Sequence, residues 1–304
     1  MDRLLLAVSI IQSLDLVSGG YQGDCGIPEP NLQAVKGHII GGSDVTRSWP
    51  WMASMQFFNE WDMTYDHVCG ATLLSKEWLI TAAHCVDVRV SGPDRDDPDR
   101  YVVMIGGTHL YSLTGNEVYL GVKAFYMHED WVPDSAQGYP NDIAMVRLDN
   151  FVNPVAYVAP ICLPDIAQDF IGKECYITGW GYTDPNSDQY PDVLQEAPTQ
   201  VVPLATCKLN VPLVVLTTQI CTGHSGPPTI CNVGIPQFYF HNSLLSPTFW
   251  RVSWGDSGGP LQCLVGDIWV FAGVSSWTYN FCEGYPSVHT RISSYLDWIK
   301  RHIT

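Results

Sequence analysis

Basic residues are scarce in this chain, and it contains no long apolar run. Lysine and arginine number 15 against 31 aspartate and glutamate residues, which gives a formal net charge of −16. Proteins that bind nucleic acid usually concentrate positive charge, so this class is disfavoured and no nucleic-acid partner is expected. No apolar run reaches the roughly 18 residues that a membrane-spanning helix needs, so no membrane partner is expected.

The chain also lacks the cysteine spacing of zinc sites. None of its ten cysteines stands three positions from another, and their even number fits an oxidising compartment. Hydrophobic residues make up 46% of the chain, which supports a large core. Short β-rich runs such as 51–58, 101–105 and 175–178 predict a sandwich or barrel, and helical spacing of apolar residues in 292–299 predicts a C-terminal helix.

The first residues have the pattern of a secretory signal. Arg3 precedes an apolar stretch at 4–11, and small residues follow at 18–20. We interpret residues 1–20 as a signal peptide, which predicts a secreted, extracellular protein. A buried strand or helix is the alternative interpretation.

A serine flanked by glycines stands at Ser257, in the run GDSGGP. The glycines allow a sharp turn and leave room for a substrate at the hydroxyl. A serine hydroxyl is a weak nucleophile, so it needs a histidine base and a carboxylate. His84 in TAAHC and Asp142 in NDIA are the candidates. Alone, each would be a packed histidine or a turn aspartate; together, in this order, they match the catalytic triad of chymotrypsin.

From Cys25 onward the chain resembles the chymotrypsin-like (trypsin-fold) serine endopeptidases. Further motifs that support the resemblance are IIGG from Ile39, WPW from Trp49, TGWG from Thr178 and YLDWI from Tyr295. The opening CGIPEPNL and the pattern GGPLQC with IWVFAGVSSW are most similar to the pancreatic elastase and chymotrypsin C branch. The resemblance implies an all-β fold of two antiparallel Greek-key six-stranded β-barrels with a C-terminal α-helix.

The resemblance also implies roles and partners. His84 would be the general base, Asp142 its partner and Ser257 the nucleophile, and the backbone N–H groups of Gly255 and Ser257 would form the oxyanion hole. Substrates would be proteins or peptides, and an activating protease and protein inhibitors are the other expected partners. A monomer without cofactor or metal is expected.

Activation in the family depends on a new N-terminus. Cleavage would release a propeptide at 21–38 and leave a catalytic domain at 39–304, in which Asp256 receives the ammonium of Ile39. His38 stands where the family usually has arginine or lysine. Either a protease of other specificity activates the chain, or activation does not happen.

The resemblance implies five disulfides and a specificity pocket. The disulfides pair Cys25 with Cys162, Cys69 with Cys85, Cys175 with Cys263, Cys207 with Cys221, and Cys231 with Cys282. The pocket would have Thr229 at its base and Thr278 and Ser287 in its walls, which favours small to medium aliphatic side chains. Ser276, Trp277 and Thr278 would pair with the substrate backbone as an added strand.

Two loops in the first half of the chain are candidate sites for basic substrates or for calcium. The loop at 92–100 carries four aspartates, which could attract basic substrates, although a solvated surface loop is the preferred interpretation. Between Gly106 and Gly121, where some relatives bind calcium, Glu117 is the only carboxylate, so no metal is predicted.

One segment departs from the family pattern. Ser253 replaces the cysteine expected four residues before the nucleophile, so the matching cysteine is Cys231 and about 233–253 is an insertion. It could be an exosite, a segment that blocks the cleft, or translated non-coding sequence, of which we prefer the last. The leading hypothesis is a secreted elastase-like zymogen. The alternatives are an inactive protease-fold binding protein or mis-spliced isoform, and an esterase without proteolysis.

Overall fold

The computed structural model describes residues 25–27, 43–155, 157–182, 189–211, 215–223, 255–278 and 285–303. The signal segment at 1–20, the cleavage site before Ile39 and the insertion at 233–253 lie outside these residues.

A short strand, β1 (Ser43–Asp44), precedes a closed antiparallel barrel of six strands. The barrel strands are β2 (Met52–Asn59), β3 (Thr64–Leu73), β4 (Trp78–Thr81), β5 (Tyr101–Ile105), β6 (Val118–Met127) and β7 (Ala144–Leu148). They close in the order β2-β3-β4-β7-β6-β5. Buried β-branched, aromatic and sulfur-containing side chains fill the interior, as in the run YVVMI of β5.

The second half forms a second antiparallel barrel. Its strands are β8 (Cys175–Gly179), β9 (Gln195–Val202), β10 (Gln219–Gly223), β11 (Pro260–Val265), β12 (Ile268–Thr278) and β13 (Ser287–Arg291). The sheet order is β9-β10-β13-β12-β11-β8, the pairing of β8 with β9 closes the ring, and β1 adds to β9. The predicted fold of two six-stranded barrels is confirmed.

The three helices of the described residues are short: α1 (Val88–Ser91), α2 (Leu204–Asn210) and α3 (Leu296–Ile303). The C-terminal helix was predicted from the apolar residues in 292–299. It begins at Leu296 rather than near residue 292, because Ile292–Ser294 form a separate 3-10 turn. Leu296, Trp298 and Ile299 bury its apolar side in the first barrel's core. Among the described residues, no helix has the length and apolarity to cross a membrane.

Four disulfides tie the barrels and their connections. They join Cys25 to Cys162, Cys69 to Cys85, Cys175 to Cys263, and Cys207 to Cys221. These are four of the five implied pairs; Cys231 and Cys282 lie outside the described residues. Gly26 beside the first disulfide joins the edge of the second barrel, because Trp269 donates its N–H to the Gly26 carbonyl at 2.8 Å.

Two histidines are buried within the strands. Burial lowers the pKa of His67 on β3 from 6.5 to about 4, against the opposing effect of its bond to the Gly255 carbonyl. Burial likewise lowers the pKa of His289 on β13 from 6.5 to about 3. Both rings are therefore neutral in the folded protein at neutral pH.

These histidines predict an acid sensitivity. Between pH 6.5 and about 4 the unfolded chain binds protons at both positions that the folded chain does not, so stability is complete above pH 6.5 and falls as the pH decreases through that range. Denaturant unfolding measured across this range should show the loss. His289→Gln should make the decline shallower, and an unchanged slope in that variant would contradict the assignment.

Candidate active site

His84 and Asp142 form a buried pair. His84 lies in a 3-10 turn, Ala83–Cys85, that follows β4, and the disulfide from Cys85 to Cys69 fixes this turn to β3. The His84 Nδ1 atom lies 2.7 Å from Asp142 Oδ2, and the His84 backbone N–H donates to Asp142 Oδ1 at 2.9 Å. Because a carboxylate accepts, Nδ1 is the nitrogen that donates in this pair, and the second ring nitrogen, Nε2, lies 3.7 Å from Cys85 Sγ.

The backbone before Asp142 is held in an unusual conformation. Asn141 has a left-handed φ of +57°, which asparagine tolerates better than most residues. Its side chain donates to the Asp130 carbonyl at 2.8 Å and accepts from the Tyr295 hydroxyl at 2.9 Å. These two bonds fix the turn, so the Asp142 carboxylate points towards His84.

The second barrel also bonds to Asp142. The Ser276 hydroxyl donates to Asp142 Oδ2 at 2.5 Å, and the Thr290 hydroxyl donates to its carbonyl at 2.7 Å. Ser276 is the extra residue of a β-bulge, since Ser275 pairs with His289 and Trp277 with Val288. A bulge redirects a side chain, which explains how Ser276 reaches the carboxylate.

Ser257 lies in a tight turn between the two barrels. Gly70 on β3 donates to the Ser257 carbonyl at 2.8 Å, and Gly258 donates to the Ser275 carbonyl at 2.9 Å. Gly258 has a φ of +79°, and a Cβ there would collide with Thr81 and Gly70. Only glycine fits, and the close approach brings the turn against the end of β4, three residues before His84.

His67 supports the turn from below and was not anticipated from the sequence. Its Nε2–H donates to the Gly255 carbonyl at 2.9 Å, and its Nδ1 accepts from the Ser54 hydroxyl at 2.7 Å. Gly255 has a φ of +110°, and a Cβ there would lie 2.7 Å from Gly181 Cα. The His67 ring therefore fixes the carbonyl of Gly255. The backbone N–H of the same residue is one of the two candidate oxyanion donors.

Asp256 is buried against the TGWG segment. Its Oδ1 accepts the N–H of Gly181 at 2.7 Å, and a Cβ on Gly179 would collide with that carboxylate. Gly179 of this motif is therefore required by the close approach of Asp256. Ile39, its expected partner, lies outside the described residues.

Two of the expected pocket residues lie on neighbouring strands. Thr278 on β12 lies directly opposite Ser287 on β13, and Trp277 is opposite Val288. Trp277 is buried, whereas Thr278 and Ser287 are partly exposed. Thr229, the expected base, lies outside the described residues.

Comparisons with known proteins agree with this geometry. The profile of the family described as Trypsin matches residues 39–241 and 248–299. Chymotrypsin-like elastase family member 1 of Bos taurus is 32% identical over 307 residues, covering 98% of this chain and 99% of the relative. Chymotrypsin-C of Bos taurus is 31% identical over 93% of this chain and 95% of the relative. Tryptase of Mus musculus is 31% identical over 87% of this chain and 88% of the relative.

The chain belongs to the trypsin family. It is therefore a serine endopeptidase, with protein substrates, and the predicted resemblance to the elastase and chymotrypsin C branch is confirmed. The profile match is interrupted at 242–247, within the segment interpreted as an insertion.

In this trypsin-family chain the loop between Gly106 and Gly121 is held by its own donors. Glu117 accepts the N–H groups of Thr114 and Gly115 at 2.7 and 2.8 Å. Burial raises the pKa of Glu117, but these bonds and that of the Thr114 hydroxyl outweigh it and lower the pKa to about 2. The carboxylate that could have bound calcium is thus engaged with the loop.

Within the described residues, Cys69, His84 and Cys85 are the only cluster with the spacing of a metal site. The two sulfurs form a disulfide, so they offer no thiolate ligand. The absence of a metal from the active protein stays a prediction.

Sequence reasoning missed two contributions to the site. It placed Ser276 only beside the substrate backbone, whereas its hydroxyl also bonds Asp142. It did not single out His67, although a histidine within the buried run HVCG next to Cys69 was a visible signal.

We expect His67→Phe to lower kcat on an ester substrate at least ~10-fold. The upper limit is the roughly 10²- to 10³-fold decrease that follows the loss of one oxyanion donor. The reason is that the Gly255 carbonyl would lose its N–H partner and the turn could rotate. Ser54→Ala, which keeps the bond to Gly255, should have a smaller effect. Unchanged kcat in His67→Phe would show that the turn holds its geometry without the ring.

Proposed function

We propose that the chain is a secreted, elastase-like serine endopeptidase that acts through an acyl-enzyme. The observation that carries this proposal is the buried pair of His84 and Asp142, which orients the imidazole at the end of β4, where the turn that holds Ser257 packs against Thr81 and Ala82. Ser257 Oγ would attack the scissile carbonyl carbon while His84 Nε2 takes the hydroxyl proton.

The negative oxygen that forms in this step would be stabilised by the backbone N–H groups of Gly255 and Ser257. Collapse of the tetrahedral intermediate breaks the C–N bond, and His84 returns its proton to the leaving amine. Water then attacks the ester with His84 as base again, which releases the acid and restores Ser257. Asp142 would hold the imidazole and stabilise its charged form throughout.

Specificity for small to medium aliphatic side chains is the finer part of the proposal. Thr278 and Ser287 face each other across β12 and β13, where their side chains would narrow the pocket. Thr229 at the proposed base has no charge to select lysine or arginine. The relatives named elastase and chymotrypsin C support the same branch.

Secretion and activation complete the proposal. A signal at 1–20 and a propeptide at 21–38, kept attached through the disulfide of Cys25 with Cys162, fit an extracellular monomeric zymogen. An activating protease would cut after His38, and the Ile39 ammonium would pair with Asp256. The turn from Gly255 onward is formed, since Gly259 donates to the Asp256 carbonyl at 3.0 Å, which supports activity with the insertion present.

The nucleophile can be tested directly. After cleavage before Ile39, a fluorophosphonate probe should label the chain at Ser257, because only a serine activated by a neighbouring base reacts with it. Mass spectrometry would locate the label, and Ser257→Ala should abolish it. Labelling of the Ser257→Ala variant would contradict the assignment, and no labelling of the cleaved parent would favour an inactive protein.

The pocket predicts a cleavage profile. On a peptide library, Ala, Val or Leu before the scissile bond should be preferred over Arg or Lys. The ranking among aliphatic residues should be soft, since one methylene changes such preferences only about 10- to 200-fold. Thr278→Gly should extend the profile to larger side chains. A profile dominated by basic residues would reject this pocket assignment.

A further inference from the structure

A cavity of about 160 Å³ lies where the two barrels meet, apart from the residues of the proposed reaction. Ser48 and Trp49, which precede β2, form part of its wall, and the loop that follows β5 forms another part. Leu194, the residue before β9, contributes from the second barrel. The described residues that line the cavity include no member of the triad, the oxyanion turn or the proposed specificity pocket.

Hydrogen bonds between the barrels fix the wall of this cavity. The Leu194 N–H donates to the Thr108 carbonyl at 2.7 Å, and the Leu194 carbonyl accepts the Val45 N–H at 3.1 Å. The Trp49 indole N–H donates to Glu196 Oε2 at 2.8 Å. The cavity is therefore formed before any ligand enters it, as is usual for small-molecule sites.

The cavity has a buried apolar floor and an exposed rim. Trp49 is 4% exposed and Leu194 is 2% exposed, so an aromatic and an aliphatic side chain provide the floor. Thr114 and Tyr157 at the rim are exposed. A small molecule can thus enter from solvent past the rim and reach apolar surface.

Several polar groups of the wall are not bonded to the protein. Within the described part of the chain, the Ser48 hydroxyl, the Asn116 amide and the Tyr157 hydroxyl form no hydrogen bond, although Ser48 is only 3% exposed. His109 Nδ1 lies 3.0 Å from the Thr108 hydroxyl, which leaves Nε2 of the ring available. Because a buried hydroxyl without a partner is costly, a ligand with a hydrogen-bonding group would be stabilised here.

Charge and size restrict the class of ligand. Among the described lining residues there is no aspartate, glutamate, lysine or arginine, so a charged ligand would lose its hydration without gaining an ion pair. A dry cavity of about 150 Å³ holds one benzene ring. The present cavity has about this volume, but it adds polar groups to its apolar floor. One aromatic ring that carries a hydroxyl group matches both properties.

We propose that this cavity is a binding site for a small uncharged phenol. The ring would pack against Trp49 and Leu194, and the hydroxyl would bond to Ser48 in the buried wall or to Tyr157 at the rim. The inference goes beyond the proposed peptidase and does not depend on it. Because the wall includes residues of both barrels, occupancy would stabilise the folded chain.

The test uses 4-fluorophenol as the probe and ¹⁹F NMR as the measurement. Titration of the full chain at neutral pH should give a Kd of about 1 mM, a usual affinity for a ligand of this size. Fluorobenzene lacks the hydroxyl and should bind at least ~3-fold more weakly, since one hydrogen bond is lost. The charged 4-fluorobenzoate should not bind measurably.

Variants of the wall define the polar contacts. Ser48→Ala or Tyr157→Phe should weaken the binding of 4-fluorophenol about 2- to 10-fold and leave that of fluorobenzene unchanged. Tyr126→Phe is the matched control, because Tyr126 is 39% exposed and Tyr157 is 38% exposed, and Tyr126 lies outside the cavity. Thermal unfolding shows that each variant is folded, and it should also show that 4-fluorophenol raises the Tm of the parent chain.

A tyrosine side chain of another protein carries the same chemical group as a free phenol. Displacement of the probe by phenol but not by N-acetyltyrosinamide would assign the site to a free small molecule, whereas displacement by both would extend it to tyrosine side chains.

Four results would overturn the proposal. These are no binding of 4-fluorophenol, equal binding of fluorobenzene, affinity unchanged in both wall variants, or loss of binding when a fluorophosphonate occupies Ser257. The last result would place the probe in the specificity pocket. A chain that hydrolyses no ester or peptide, yet binds 4-fluorophenol through Ser48 or Tyr157, would keep this site and reject the peptidase.

Discussion

The burial of the Asp142 carboxylate is the constraint on which the rest of the site depends. Removing a charge from water is costly unless donors replace the solvent. Here the donors come from both barrels: the ring and backbone of His84 from the first, and the Ser276 hydroxyl from the second. The two barrels must therefore be correctly packed against each other for this buried charge to be tolerated. The hydrogen bonds that satisfy the Asp142 carboxylate also orient the His84 ring.

Close backbone approach is the second constraint. The Ser257 turn lies against β3 and β4 so tightly that Gly70 and Gly258 have no space for a Cβ. The turn is bonded to Gly70 on one side and to Ser275 on the other. Because neither side can move without breaking one of these bonds, Ser257 is positioned by the packing of the two barrels against its turn.

The charges of the chain are unevenly placed with respect to this site. The proposed pocket walls, Thr278 and Ser287, carry no charge, whereas the loop at 92–100 carries four aspartates. Selection at the proposed pocket would then depend on side-chain volume rather than on charge.

The sequence by itself predicts candidate residues whose chemistry is local. His84, Asp142 and Ser257 stand in short motifs, and a family resemblance over nearly the whole chain is enough to order them and to imply the barrels. The tertiary structure alone decided which distant groups support them. The bulge at Ser276 directs its side chain away from the side of the strand that regular alternation predicts. His67 bonds to Gly255, from which it is separated by 188 residues in the sequence. Such relations depend on how strands meet in space, which no local pattern of residues specifies.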